Sequence, residues 1–303
     1  MMQRMKGTLR PGRKAGVLAL AVLLLTCVLM AGAVSAADIL VTSDDNLAEK
    51  IADATDGDVL ILKSGEYNLP NGLKIEKAIT LTAADANDKP KLTVPLGLSS
   101  GSTYVGIWVA AAGVKLDNLS ITSTGGSGNQ NAVIFVQFSS GNDPVEITCS
   151  EITTTLTETS AVRGIEISTQ CPAPVKITGN TFQSTDSNLA AAIFSNPRSG
   201  IQDMINYNIF AGTYAALVGY DPAEDSIAPD VRYNYWGPTI PEDAFPETIT
   251  EYVPYYTALN DDGTIKTDSL TYAASITRDG ETTYYGSIPD ALNAAVDGDT
   301  IKI

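Results

Sequence analysis

The sequence predicts an all-β fold, a right-handed parallel β-helix (a solenoid of stacked coils) with a short N-terminal capping helix. Three observations carry that prediction. Short β-branched and aromatic runs recur between residues 104 and 240, separated by Gly, Ser, Asn, Asp and Pro. They fall into two families that advance in step, with no helical pattern between them. A helix-turn-strand phrase also occurs twice, at 47–62 and 288–303, its copies 241 residues apart.

The first strand family reads GIWV at 106–109, AVIF at 132–135, GIEI at 164–167, AAIF at 191–194 and AALV at 215–218, so its ends are 26, 32, 27 and 24 positions apart. The second reads VKL at 114–116, VEI at 145–147, VKI at 175–177, DMI at 203–205 and PDV at 229–231, with ends spaced by 31, 30, 28 and 26. Five positions after each second-family strand stands another large apolar residue: Ile121, Ile152, Phe182, Phe210 and Trp236. An α/β fold would need helical crossovers of roughly ten residues or more, and these intervals are too rich in Thr, Ser and Gly. A sandwich of antiparallel hairpins would not return the same pattern after every full turn. One coil cannot bury its apolar side chains alone, so stacking creates the core. Parallel crossovers favour the right hand.

At the N-terminus, Arg4, Lys6, Arg10, Arg13 and Lys14 precede an uncharged apolar run over 15–30, and Val34, Ser35 and Ala36 offer a small-residue cleavage site. Residues 1–36 therefore read as a secretory signal peptide, the run being too short for a membrane span. An uncleaved anchor and lipidation at Cys27 are weaker readings, Thr26 being poorly suited to a lipoprotein site. Without the leader the chain keeps 14 basic residues against 35 acidic ones, a net charge of −21. Such a surface repels phosphate backbones and anionic lipids, which argues against nucleic acid as a partner. Histidine is absent, removing the commonest metal ligand and general base. Cys149 and Cys171 fall on a strand end and in the following loop, not in one column. Whether they pair is left open, since a disulfide needs Cα atoms within roughly 7 Å.

The helix over 47–54 is expected to be capped by Asp44 or Asp45 and to lay Leu47, Ile51 and Ala54 over the first coil, covering its open strand edge. Asp56, Gly57 and Asp58 read as a turn with Gly57 at positive φ rather than as a calcium site. Asn180, Asn208 and Asn234 recur three residues after the second-family strands and should stack at a bend, handing hydrogen bonds from coil to coil. A calcium or sugar role is the sharper alternative for them. Tyr252, Tyr255 and Tyr256 are expected to close the C-terminal end of the core, with Pro241, Pro246 and Pro254 steering the chain. Residues 37–258 then form one β-helix domain of five or six coils. Residues 259–272 are a linker with a turn at 260–263, and 273–303 the truncated start of a second repeat unit. Ile301 and Ile303 would find little to pack against, leaving that segment loosely held. The Asn118 sequon admits glycosylation.

The helix followed by Asp56-Gly57-Asp58 and a strand, Gly65-Glu66-Tyr67, Ile79-Thr80-Leu81, the repeated coils and Asn234-Tyr235-Trp236-Gly237 resemble the right-handed parallel β-helix proteins of the pectate-lyase-like superfamily. Within it they are most similar to large repetitive, adhesin-like surface proteins of bacteria and archaea. The segment 272–280, continuing to 303, is similar to the link between tandem units. The resemblance implies a secreted or cell-surface protein acting as a structural or glycan-binding module. Its partner would be an extracellular polysaccharide or another cell surface. Lyases of that superfamily use an arginine base and calcium held by clustered carboxylates; hydrolases use several neighbouring carboxylates.

Here the residues to match are lacking. The arginines after the leader are Arg163, Arg198, Arg232 and Arg278. A column through Trp108, Ile134, Glu166, Ile193 and Leu217 carries one acid, Glu166, which reads as an outward residue on a solvated sheet. Asp203 opens a strand of the other family. No catalytic residue, metal ligand or cofactor is therefore assigned, no ligand-binding residue is named, and a non-enzymatic protein is expected. A polysaccharide lyase or glycoside hydrolase is the alternative.

Overall fold

The computed structural model describes residues 36–100, 103–124, 130–155, 161–184, 191–212, 214, 216–237, 245–246, 249, 252–286 and 288–303. The expected signal peptide, Cys27 within it, and Pro241 lie outside the described residues. Residues 37–303 form one compact unit.

Three parallel sheets wind into a β-solenoid of about five turns. The first holds seven strands: Asp38–Val41, Val59–Leu62, Thr80–Ala83, Lys115–Asp117, Val145–Thr148, Val175–Thr178 and Met204–Asn206. The second holds six: Glu66–Asn68, Lys91–Pro95, Ser120–Thr124, Glu151–Thr154, Thr181–Ser184 and Ile209–Phe210. Leu73–Ile75, Thr103–Val109, Gln130–Val136, Ala161–Ile167, Ala191–Ser195 and Val218–Tyr220 make the third, with Leu98–Ser100 added antiparallel.

Alternation explains the first two sheets. In the first, Leu60, Leu81, Leu116, Ile147, Ile177 and Ile205 lie in one register column, each with no exposed surface. In the second, Tyr67, Leu92, Ile121, Ile152, Phe182 and Phe210 form the facing column. Burying each such side chain is worth roughly 1.5–3 kcal/mol, so the axis of the coil is where stability is concentrated. The first four predicted second-family strands lie in the first sheet and Ile121, Ile152, Phe182 and Phe210 lie in the second; the fifth turn joins only through isolated bridges of Asp230 to Met204 and of Tyr235 to Ile209.

The third sheet departs from the expected register by one residue. Trp108 lies beside Phe135, Glu166, Phe194 and Gly219, not in a column with Ile134, Ile193 and Leu217. Two successive residues, Val133 and Ile134, both enter the core. Alternation is interrupted there and cannot set the phase of the strand. The backbone is crowded there as well: a Cβ on Gly106 would meet Val94 Cγ2 at 2.7 Å, and one on Gly164 would meet the Ala192 carbonyl at 2.5 Å.

Helix α1 (Leu47–Asp53) buries Leu47, Ile51 and the following Ala54 in the solenoid core, as its apolar spacing requires. Its N-cap is Asn46, whose side chain accepts from the Glu49 N–H, rather than either aspartate. Asp45 is committed to the preceding turn, accepting from the Thr42 N–H at 2.9 Å and Oγ1 at 2.8 Å. At the other end, rings continue the core: Phe182 stacks on Phe210, Phe210 on Trp236, Trp236 meets Phe245 edge-on, and Phe245 stacks on Tyr252. The tyrosines after the last coil therefore close it.

The segment beyond is tied back. Leu270–Thr271 pairs antiparallel with Tyr255–Tyr256, and the turn at 260–263 has Gly263 at φ 81°. Ala274–Arg278 then pairs antiparallel with both Glu281–Tyr285 and Thr300–Lys302, with helix α2 (Ile288–Ala294) beside them. Ala274, Ile276 and Ala291 make a small core of their own, against which Tyr285, Ala295 and Ile301 pack. Ile301 thus has a partner that the sequence did not reveal, because it is opposite Ile276 across an antiparallel pair. Ile303 is 76% exposed.

Candidate functional site on the outer face of the third sheet

The residues that could carry chemistry are for the most part occupied by the fold. At the first Asp-Gly-Asp turn, Gly57 has φ 94°. Asp58 accepts from the backbone N–H groups of Ala37 and Thr55 at 2.8 and 2.7 Å, and Asp56 accepts from that of Ala78 at 2.9 Å. The bonds from Thr55 and Ala37 hold the Asp58 carboxyl below its usual value. These carboxylates finish backbone donors and form a turn, as expected.

The asparagine column is structural in the same sense. Asn180, Asn208 and Asn234 are fully buried. Each side-chain oxygen accepts the backbone N–H of the residue one coil earlier, from Ser150, Asn180 and Asn208 in turn. Their Nδ2 groups donate to the carbonyls of Ile147, Ile177 and Ile205. Arg198 and Asp203, kept apart in the sequence reading, form a buried ion pair. Asp203 also accepts from the Val175 N–H and Ser195 Oγ, and Arg198 donates to the Cys171 and Ala173 carbonyls. Cys149 and Cys171 are free thiols. Asn118 is 8% exposed, at a left-handed turn.

A different arrangement stands on the outside of the third sheet. Lys74, Trp108, Phe135, Glu166, Phe194 and Gly219 follow one another in register from coil to coil. At about 4.8 Å per strand this stripe is roughly 24 Å long. They point away from Ile107, Ile134, Ile165 and Ile193, which fill the core. Lys74 Nζ sits 4.7 Å over the Trp108 ring, whose centroid is 6.4 Å from that of Phe135. Phe194 lies over Gly219, where a Cβ would come within 2.4 Å of the ring.

Arg163 joins this stripe at Glu166 and Phe194. The guanidinium lies 4.1 Å over the Phe194 ring, and Nη1 is 2.7 Å from Glu166 Oε2. Glu166 is only 6% exposed, so it is not the solvated outward acid expected from its strand position. The aromatic ring of the next coil and the arginine three residues earlier cover it. Asn196 Nδ2 approaches its other oxygen at 3.5 Å.

Along one flank runs a polar row. Gln137 accepts from Ser100 Oγ through Oε1 at 2.6 Å and donates through Nε2 to Gln170 Oε1 at 3.1 Å, and its carbonyl accepts from Trp108 Nε1 at 3.1 Å. Phe135 is only 4% exposed, packed with Val105 and Ala132 under Trp108 and Leu98. The half-buried rings of Trp108 and Phe194, beside fixed amides, are the ones that suit a ligand with an apolar face and a polar rim. Reading the strand phase one residue out hid this site, although Trp108 and Phe194 were visible within their runs.

Beside α1 lies a cleft of 290 Å³ lined by residues that include Asp45, Asn46, Tyr67 and Asn71. Its Tyr67 hydroxyl is already engaged, its one proton lying between the Lys63 carbonyl at 2.9 Å and the Val41 carbonyl at 3.1 Å. Among the described residues, no group of three or more His, Cys, Asp or Glu is placed to hold a metal ion. No described helix is long and apolar enough to cross a membrane. Comparison with protein-family models, with curated proteins and with solved structures finds no match to this chain.

Proposed function

We propose that this is a secreted or cell-surface β-solenoid without enzymatic activity, a stiff module that contacts glycans along the outer stripe of its third sheet. The observation that carries the reading is the half-buried rings of Trp108 and Phe194 in one register column with Lys74, braced by the buried Phe135 and Glu166, with Gln137 and Asn196 beside it. A sugar ring offers C–H faces to aromatic rings and hydroxyls to amides. Both cations of the stripe are already paired, Lys74 with Glu76 and Arg163 with Glu166, within a chain of strong negative charge. That electrostatic setting favours neutral over acidic polysaccharides.

The test is a glycan array probed with the whole chain and with Trp108→Ala. Binding to neutral glycans that weakens about tenfold or more in the variant is expected, a loss of about 1.4 kcal/mol. An array with no bound glycan would leave only the role of a spacer.

The alternative, a polysaccharide lyase or glycoside hydrolase, draws on the meeting of Arg163 and Glu166. It requires more than they offer. A guanidinium held against a carboxylate is in its charged form and has no free lone pair with which to remove a proton. Hydrolysis needs a second carboxylate near the first. Incubation with a polysaccharide panel, followed by absorbance for unsaturated ends and by reducing-sugar release, separates the readings. Turnover of any substrate would establish the enzyme.

A further inference from the structure

Two tyrosines stand where the main chain is least suited to a large side chain. Tyr207 and Tyr233 hold left-handed positions, φ 59° and 62°, one coil apart at the corner between the first and second sheets. At the same position of the coil before them, Gly179 has φ 71°. A bulky residue in that conformation is rare and strained, and strain retained in a fold points to a use for the side chain.

Burial does not supply that use for Tyr207, which is 46% exposed. Its ring stacks on that of Tyr233, with centroids 5.4 Å apart and planes 12° from parallel. Tyr256, itself 7% exposed, is tilted beside it at 6.5 Å. One face of the Tyr207 ring is thus braced, and the other turns toward the coil of Gly179. Coils are about 4.8 Å apart, within the range at which rings stack. Gly179 puts no side chain there. A Cβ on it would have Cys149 Sγ as its nearest neighbour, at 3.6 Å, rather than the Tyr207 ring. Between Tyr207 and Cys149 the corner therefore keeps a slot one ring thick. Thr178 and Thr181, half-buried outward residues of the first and second sheets, stand on its two sides.

We propose that this slot is a second sugar site, in which one pyranose ring of a neutral glycan stacks on the free face of Tyr207 above Gly179. A pyranose with equatorial hydroxyls lays its C–H face on the tyrosine and turns its rim toward the threonine hydroxyls. That the ligand is a sugar rests on the glycan-binding reading above. The slot itself is built from other residues, at the corner lying across the coil from the third sheet. The two sites therefore hold separate glycan chains.

The experiment titrates the whole chain with cellohexaose, a neutral chain of all-equatorial pyranoses, and follows the Tyr207 ring and Thr178 methyl signals by NMR. Both are expected to shift together. Gly179→Asn fills the slot with a residue that tolerates the left-handed backbone, and Tyr207→Ala removes the platform. Each should weaken the binding read at Thr178 about tenfold or more, whereas Tyr207→Phe should keep it. Trp108→Ala should leave these shifts intact, so failure of the third-sheet stripe and failure of the slot are read separately. Signals at Tyr207 and Thr178 that do not move with cellohexaose overturn the proposal. So do shifts that survive Gly179→Asn undiminished, or that vanish in Trp108→Ala.

Discussion

Asn208 Oδ1 accepts two hydrogen bonds from Asn180 of the preceding coil, from its backbone N–H at 2.9 Å and its Nδ2 at 3.1 Å. Asn208 in turn donates to Asn234 in the same way. Each asparagine thus satisfies a buried N–H that bends out of the sheet ladder, and the column ties coils together where strand pairing is interrupted. Replacing Asn208 with Ala should leave the buried Asn180 N–H without its partner and take one of its donors from the Ile177 carbonyl. An unsatisfied buried group costs about 1–3 kcal/mol, so a loss in that range is expected in chemical denaturation. A loss under about 1 kcal/mol would mean that the column is dispensable.

The residue just before that column is always left-handed. Asn118, Cys149, Gly179, Tyr207 and Tyr233 have φ of 56°, 51°, 71°, 59° and 62°. A Cβ there costs roughly 1–2 kcal/mol, which Gly179 avoids. Cys149 is exposed, so removing its side chain forfeits little packing. Cys149→Gly is expected to stabilise the chain by about 0.5–1 kcal/mol, the strain relieved less the greater freedom of glycine when unfolded. A destabilised variant in thermal denaturation would refute this.

These two columns show what the sequence can disclose. The asparagines were legible because one residue type recurs at one offset. The left-handed column was not, because the demand falls on the main chain and five coils meet it with four residue types. The first two sheets follow from alternation. The third lost its phase at Val133 and Ile134, and with it the outer stripe. Glu166 looked solvated because the groups that bury it, Arg163 and Phe194, act across a turn of the strand and from the next coil. The repeated phrase was legible in full, but not the hairpin that gives Ile301 a neighbour.

Acid should act on the second copy of the turn. Bonds from Arg278 and from the Val296 N–H hold the Asp299 carboxyl at about 2, against an ordinary value of 3.8. A depressed carboxylate contributes stability that is present above its unfolded value and lost as pH falls through its folded one. The window is therefore between pH 3.8 and about 2. The Val296 amide and the Arg278 Nε resonance are expected to shift together in that range by NMR. Asp299→Asn should remove the step. A titration of both signals centred near the ordinary carboxylate value would contradict the depressed pKa.

The Arg198–Asp203 pair is the most deeply buried ion pair among the described residues, with side chains 3% and 1% exposed. Asp203 serves three donors at once: the guanidinium, Ser195 Oγ at 2.7 Å and the Val175 N–H at 2.8 Å. Removing one partner leaves the other charge in a dry site, so Arg198→Met and Asp203→Asn should each cost about 3–5 kcal/mol. The double variant removes both charges and should cost less than the sum, because the unpaired buried charge that each single variant leaves is absent from it. A double-mutant cycle on denaturation free energies measures that coupling, expected at about 2 kcal/mol or more. Additive costs would mean that the two residues stabilise the bend between the third and first sheets independently, through the Ala173 carbonyl on one side and Ser195 on the other.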